Sequence, residues 1–401
     1  MPWRNRTYGG PLFPKMVKLR VVLALMAVLA GACTPRSTAA TTSPTSSSSP
    51  SPTPSAASAV QLCFAAPPAD WAAAMKKTVA TLKGINFGPG AVDDARGIAY
   101  GGFTSAKQHG IAAVNLATGK MTVVLVMSKS ESGFAWMSYA DGWLVWSQGE
   151  SHGGLGIWSI QAWNTQTHER RQLATSRLAN GTYLTGELAF PVVGHGYVAW
   201  NQPVSSTSAD VRVYRFATKT MTTLDSGYVS SPVFAGTYLA WGKGQAASDP
   251  LAEFRFADAT TLALVVAPPT LSGRYPLTYL AGSPDYMLWI ALPETLTPSN
   301  SAMSVDELAT GRVTEYGAQD HYLQFPTLAG PYFVWAGGDR NSVVDLRTAS
   351  GFDIPLPGGV SAAGDTIVVA TIAGFSKSSV SSTAISVVHP SRLSRLAPCG
   401  G

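Results

Sequence analysis

The stretch Pro232 to Trp241 (PVFAGTYLAW) decides the fold, because it returns later in the chain with the same spacing. Pro326 to Trp335 (PTLAGPYFVW) repeats the proline, the glycine, the tyrosine and the tryptophan at equivalent positions. A third copy keeps Pro191, Tyr197 and Trp200. Two weaker copies keep only an aromatic pair three residues apart, Trp143 with Trp146 and Tyr286 with Trp289. Recurrence of one short element along the chain indicates a repeat protein.

A second element accompanies each copy. Leu116 to Lys120 (LATGK) and Leu308 to Arg312 (LATGR) place small, polar and glycine residues between alternating apolar runs, which predicts a β-hairpin. An apolar residue precedes each of seven such turns, and these residues recur about every 40 to 50 positions. They are Leu116, Trp163, Phe216, Phe256, Leu308, Leu346 and Val388.

Units of this length with four strands are typical of β-propeller blades. We therefore predict an all-β fold, a seven-bladed β-propeller of four-stranded antiparallel blades over residues 88–401. Six blades are the alternative if the terminal copies share one blade. In the strand Tyr238 to Trp241 both alternating faces are apolar, as expected of a strand between neighbouring sheets. We expect the recurring tryptophans to pack between blades; the alternative is an aromatic platform for carbohydrate.

The N-terminal residues have the pattern of an export signal. Lys15 to Arg20 is basic, Val21 to Ala30 is an apolar run, and small residues precede Cys33. Residues 1–32 are therefore predicted to be a signal peptide. Residues 33–60, rich in serine, threonine and proline, are predicted to be a disordered tether.

The segment around Cys33 resembles a bacterial lipoprotein signal, although Ala30 stands where the family usually has leucine. The resemblance implies that Cys33 carries the lipid and that the protein is anchored to the outer face of the cytoplasmic membrane. A plain secretory signal cut near Ala32 is the alternative. The propeller repeats are similar to those of TolB-like and YVTN-type propellers, which resemble tryptophan-aspartate repeats, with Asp141-Gly142 closest to the family turn.

The two remaining cysteines are expected to form a disulfide. Cys63 opens the body and Cys399 nearly ends it, and an exported protein lies in an oxidising compartment. A bridge would join the two ends of the body; two unpaired thiols are the alternative. Within residues 61–87 we predict a short helix from Ala69 to Leu82, with Asp70 as its cap and Trp71 on its apolar face.

Charge argues against nucleic acid as a partner. Five basic residues lie in the predicted signal; subtracting them from 28 leaves 23, which equals the 23 acidic residues. A neutral body lacks the clustered basic face that phosphate binding needs.

No motif for catalysis, metal or cofactor binding occurs in the sequence. We therefore predict no catalytic residue, no metal and no cofactor, and expect a monomer that touches the membrane only through its lipid. The candidate binding residues are four in loop insertions after the aromatic strand, and a histidine that replaces the motif glycine of one repeat. They are Glu150, His152, Asp249, Glu294 and His195. His321 follows Asp320 before a proline-containing strand and is a further candidate, expected to point into a loop funnel if it has a functional role.

The insertions at 148–155, 203–210, 242–250 and 293–301 all follow the same strand and should share one face of the ring. Tolerated surface variation would explain them equally. We predict an extracytoplasmic binding or scaffold module whose partner is an envelope protein, a peptide or a glycan. The alternative is a propeller hydrolase or lyase acting on envelope glycan or peptide, with its residues scattered over the central funnel.

Overall fold

A computed structural model describes part of the chain, including most of the predicted repeats. The described residues are 59–128, 131–150, 157–178, 181–183, 189–205, 207–244, 253–271, 279–291, 301–318, 321, 323, 326–336, 340–354, 358–373 and 382–398.

The N-terminal part of this region contains three strands and the one α-helix found among the described residues. They are β1 (Val60–Gln61), β2 (Cys63–Phe64), α1 (Ala69–Lys76) and β3 (Thr78–Leu82). The first repeat follows as β4 (Ile85–Asp93), β5 (Ile98–Ser105), β6 (His109–Asn115) and β7 (Met121–Val126). The second comprises β8 (Glu131–Ala140), β9 (Trp143–Glu150), β10 (Trp158–Asn164) and β11 (Arg170–Thr175).

The next two repeats share a sheet. Their strands are β12 (Val192–Gly194), β13 (Tyr197–Pro203), β14 (Ala209–Arg215), β15 (Thr220–Val229), β16 (Val233–Ala235), β17 (Tyr238–Gly244), β18 (Glu253–Asp258) and β19 (Leu264–Val265).

The remaining repeats complete the chain. Their strands are β20 (Tyr279–Gly282), β21 (Tyr286–Ala291), β22 (Ser301–Glu307), β23 (Arg312–Ala318), β24 (Pro326–Ala329), β25 (Tyr332–Ala336), β26 (Asn341–Asp345), β27 (Ser350–Ile354), β28 (Gly358–Ala363), β29 (Thr366–Ala373) and β30 (Ser382–Val388). Short 3-10 helices span Pro269–Leu271 and Pro390–Arg392.

Antiparallel pairing of consecutive strands makes this an all-β propeller with four-stranded blades. The first strands of the repeats, β4, β8, β12, β16, β20, β24 and β28, contact one another in that order, and β28 also contacts β4, so the contacts close into a ring. Such a ring leaves no open sheet between its first and last members.

The prediction of seven separate blades is not met as stated. The described strands form five separate blade sheets and one eight-stranded sheet. Two residue pairs join the latter's halves, Tyr228 with Gly244 and Val229 with Lys243. β15 is ten residues long, and its end reaches past its own sheet to the neighbouring one. Sequence periodicity cannot show this, because pairing beyond a repeat depends on strand length and position.

The opening motif is the first strand, the turn and the second strand of a repeat. β16 ends at Ala235, Gly236 turns with φ 55°, and β17 begins at Tyr238. Leu239 and Trp241 pack into one buried cluster, while Ala240 and Tyr238 pack into the next. The prediction that this strand is covered on both faces is confirmed.

The tryptophans fill the core. Trp146, Trp200, Trp241 and Trp335 are fully buried, and Trp289 is 3% exposed. Each buried tryptophan removes a large apolar area from water where two blades meet. Packing is therefore the role of these tryptophans, and the carbohydrate platform is not supported.

The N-terminal strands bind to the sheets instead of preceding them. β1 pairs in parallel with β23, and β2 pairs in parallel with β27. β3 pairs antiparallel with β30 and supplies the fourth strand of the last blade. Residues 61–87, predicted to lie before the propeller, thus contribute two strands to propeller sheets, and β4 begins at Ile85.

The observed helix is shorter than the predicted one, which ran from Ala69 to Leu82. α1 ends at Lys76, and the apolar residues Val79 and Leu82 belong to β3. Asp70 does not cap it, since Pro68 stands at the cap position. The Asp70 carboxylate accepts bonds from the Ser394 backbone N–H at 2.6 Å and from the Ser394 hydroxyl at 2.9 Å. These bonds, the backbone one first, lower the pKa of Asp70 and tie the helix to the C-terminal segment.

Candidate functional site

The two ends of the propeller differ in the connections between consecutive strands. At one end, here called the short-turn end, lie the turns between first and second strands and between third and fourth strands. Asp141-Gly142 and Gly236-Thr237 are turns of the first kind, and Thr165–Thr167 is one of the second kind. The opposite, long-loop end carries the connections from second to third strands and from each repeat to the next.

All four predicted insertions begin at the long-loop end, because they follow second strands. β9 ends at Glu150, β13 at Pro203, β17 at Gly244 and β21 at Ala291. Adjacent repeats have the same strand order, so equivalent strand ends lie at the same end of the propeller. The predicted common face is thus supported by topology.

The candidate binding residues do not all lie together. Glu150 is the last residue of β9, at the long-loop end. His152, Asp249 and Glu294 lie outside the described residues. His195 lies in the turn between β12 and β13, with φ 54°, and therefore at the short-turn end. As a candidate for the loop face, His195 is corrected: a motif position in a first turn lies at the opposite end from loops that follow the second strand.

A polar layer lies beneath the long-loop end of three consecutive repeats. The indole N–H of Trp146 donates to Gln148 at 3.4 Å, and that of Trp200 donates to Gln202 at 3.1 Å. Both glutamines are buried, at 6% and 8% exposure. Each glutamine stands two residues after its tryptophan, so the two side chains project from the same strand face. Buried N–H groups need such acceptors, and this pairing orients the strand ends that carry the loops.

In the third of these repeats an ion pair replaces the glutamine. Asp225 accepts from the Trp241 indole at 2.9 Å and from Lys243 Nζ at 2.5 Å. Burial alone would raise the pKa of Asp225, but the hydrogen bonds from Lys243 and Trp241 outweigh it and hold the pKa below its usual value. Asp225 therefore stays ionised at neutral pH, as a structural anion and not a proton donor.

Apolar side chains are exposed at the long-loop end, and also in or directly after fourth strands that leave the short-turn end, where Met221 is 43%, Leu264 65% and Val266 92% exposed. Val126 is 51% exposed at the end of β7, and Val204 is 42% exposed directly after β13. Leu178 and Tyr183, in the connection from β11 to β12, are 40% and 37% exposed. Single exposed apolar residues are common on protein surfaces and do not by themselves mark an interface.

The insertion after β13 has an ordered base. Val204 N and Ser205 N both donate to the Ser208 carbonyl, at 3.0 and 3.1 Å. The hydroxyls of Ser205 and Ser208 are 2.7 Å apart. These bonds close the loop and keep Val204 at its exposed position.

His321 is packed and not directed into a funnel. Its ring stacks on Phe64 of β2 at 3.7 Å, and its Nε2 lies 3.1 Å from Asp353 Oδ1. Asp353 also accepts from the Ser342 hydroxyl at 2.7 Å and lies 3.2 Å from Arg340. Ser342 donates to the carboxylate and not to the histidine, so the three side chains do not have the order of a hydrolase triad. The cluster holds β2 against the propeller.

The pKa shifts of the described residues do not favour acid–base chemistry. Asp70, Glu169, Asp225 and Asp258 have lowered pKa values. Burial raises the pKa of Tyr100 to about 12 and also raises those of Tyr139, Tyr286, Tyr316 and Tyr332. Each of these shifts moves the group further from titration near neutral pH, whereas a general acid or base needs the opposite.

The described part of the chain holds no group of three or more histidine, cysteine or acidic residues that could bind a metal ion. Within the same part, no helix has the length and apolarity to cross a membrane. Cys63 lies in β2. Cys33 and Cys399 are outside the described residues, so lipidation and the disulfide stay predictions.

Comparison with known proteins gives similarity to solved structures alone. No family model and no curated protein matches the chain. TolB from Acinetobacter baumannii is 12% identical over 68% of this chain, with a TM-score of 0.43; the match spans 63% of TolB, less than two thirds of its length.

Two further structures are similar. An oligogalacturonate lyase in complex with manganese is 9% identical, with 83% of this chain and 98% of the lyase covered and a TM-score of 0.45. The β-propeller domain of the Trilobed protease from Pyrococcus furiosus is 7% identical, with 75% and 92% covered and a TM-score of 0.46. TM-scores below 0.5 carry no argument about activity, and the fold assignment rests on the strand pairing described above.

Proposed function

We propose that the protein is a binding or scaffold module of the bacterial cell envelope, exported, anchored by lipid at Cys33, and engaging an envelope protein, peptide or glycan through its long-loop end. The contrast between the two ends carries the proposal. Tight turns occupy one end, whereas all four insertions begin at the other, where Val204 is exposed beside an ordered loop base. Loops on a rigid scaffold are where binding surfaces concentrate.

The pKa directions support binding over catalysis. The shifted carboxylates are held ionised and the shifted tyrosines are held neutral. Groups in these states are not prepared for proton transfer near neutral pH. The enzyme alternative would require groups shifted the other way, and no shift resolved in the described region has that direction.

We also infer seven blades. The eight-stranded sheet divides into β12–β15 and β16–β19, each an antiparallel set with its own first strand in the ring of contacts. The β15–β17 contact is then a bridge between two blades, made possible by the ten-residue β15.

A crosslinker placed at each end tests the binding face. A photoreactive amino acid at Ser205, exposed on the long-loop end, should give a discrete crosslinked product in intact cells. The matched control is Thr218, exposed in the turn between β14 and β15 at the short-turn end, which should not give that product. Equal products from both sites, or none from Ser205, would contradict a protein or peptide partner at the long-loop end.

The disulfide between Cys63 and Cys399 belongs to the same proposal. The hydrogen bonds from Ser394 to Asp70 hold the two ends of the body together. A bridge closing so long a loop stabilises the fold by at most about 6 kcal/mol in loop-entropy terms. Mass mapping of the non-reduced protein should recover one peptide pair containing both cysteines; recovery of both thiols free would disprove it.

A further inference from the structure

The short-turn end contains a cavity of about 270 Å³ between the last two repeats. It lies away from the face proposed above for partner binding. Pro331 and Leu393 contribute apolar walls, and Arg347, Asp365 and Arg395 contribute charged groups. Its volume is near the lower limit of small-molecule sites, roughly 300 Å³. A cavity of this size accepts one small molecule.

Arg395 is a cation without a partner among the described residues. Its side chain is exposed and lines the cavity. The residues on either side of it are fixed, since Ser394 is bonded to Asp70 and Leu396 is 4% exposed. The backbone therefore places the Arg395 side chain beside the cavity.

Arg347 also lines the cavity, and its guanidinium is held rigidly. Its Nε donates to Asp345 Oδ1 at 2.8 Å, and its Nη2 donates to Asp345 Oδ2 and to the Tyr332 hydroxyl, both at 2.7 Å. Asp345 is fully buried, so its carboxylate holds the Arg347 guanidinium in one orientation. Nη1 makes no hydrogen bond within the described region, and its N–H groups are available to a ligand.

Asp365 supplies the opposite charge. Its Oδ1 accepts from the Ser391 backbone N–H at 2.9 Å, and its Oδ2 accepts from the Ser391 hydroxyl. No cation pairs with it among the described residues. A carboxylate has about four acceptor sites, so Asp365 keeps capacity for a donor on a ligand.

We propose that this cavity binds a small α-amino acid, with its carboxylate at Arg395 and Arg347, its ammonium at Asp365 and its side chain on Pro331 and Leu393. Charged hydrogen bonds of this kind are the stronger ones in proteins, and guanidinium matches the geometry of a carboxylate. The two unpaired charges of opposite sign distinguish an amphoteric ligand from a simple anion. The apolar walls favour an aliphatic side chain.

Calorimetric titration of the detergent-solubilised full chain with L-leucine and with its amide tests the proposal. The free acid should bind and the amide should bind at least about tenfold more weakly, because it lacks the carboxylate. Equal binding of the two compounds, or no binding of the acid, overturns the proposal.

Variants assign the contact. Arg395→Gln should weaken binding of the free acid about tenfold, whereas Arg392→Gln, an exposed neighbour that does not line the cavity, should leave it unchanged. Both side chains are exposed, so circular dichroism should show both variants folded. Equal affinities for the two variants would exclude Arg395 from the site. These affinities measure the cavity alone, so they are the same whether or not the long-loop end binds a partner.

Discussion

Cys33→Ser should move the protein from the membrane fraction to the soluble exported fraction. The lipid anchor proposed for this protein is attached through the Cys33 thiol, and serine offers no thiol for it. Each buried methylene adds about 0.8 kcal/mol to membrane binding, so loss of several acyl chains removes the whole attachment. Fractionation of intact cells followed by immunoblotting measures the shift.

Cys63→Ser is the matched control for this experiment, because it removes a cysteine of β2, and with it the proposed disulfide, without altering the signal sequence. It should leave the protein in the membrane fraction. Retention of the Cys33→Ser variant in membranes would disprove the lipid anchor and leave a plain secretory signal or another attachment as the explanation.

Trp71→Ala should cost about 3–5 kcal/mol of unfolding free energy. Trp71 is fully buried between the last two repeats, with ring centroids 5.2 Å from Tyr332 and 5.4 Å from Phe352. Its indole N–H donates to the Ser394 carbonyl at 2.8 Å. Truncation leaves a large cavity and frees the C-terminal segment, and denaturant unfolding of the purified chain measures the loss.

Met75→Ala on the same helix is the control. Met75 is half-buried, so its truncation should cost roughly 1 kcal/mol, well below the effect at Trp71. Trp71→Phe should lie between the two, since it keeps most of the ring and loses the hydrogen bond. A Trp71→Ala variant as stable as Met75→Ala would show that α1 is not needed to hold the last repeats together.

Local patterns predicted much of the fold. The motif from Pro232 to Trp241 contains a first strand, a turn and a second strand, and all three occur where the spacing placed them. Covalent order alone decides which strand ends carry loops, so the common face of the insertions also followed from sequence.

Other features depended on contacts between distant residues. The sequence from Trp71 to Leu82 has the spacing of one helix. Val79 and Leu82 nevertheless lie in a strand, β3, whose backbone pairs with β30. The position of His195, by contrast, followed from the motif, because a residue that replaces the turn glycine lies at the end opposite to the insertions. The Arg395 cavity forms only where a turn of one repeat meets the C-terminal segment.

The sequence by itself therefore determined the repeat, the burial of its tryptophans and the end at which the loops emerge, because each follows from alternation along a single strand. Only the tertiary structure decided how β1, β2 and β3 attach to three sheets and how β15 joins two repeats. It also placed Arg395 and Asp365 beside one cavity. The physical reason is that backbone hydrogen bonds at sheet edges are not specific to side chains, so the chain's path in space selects the partner.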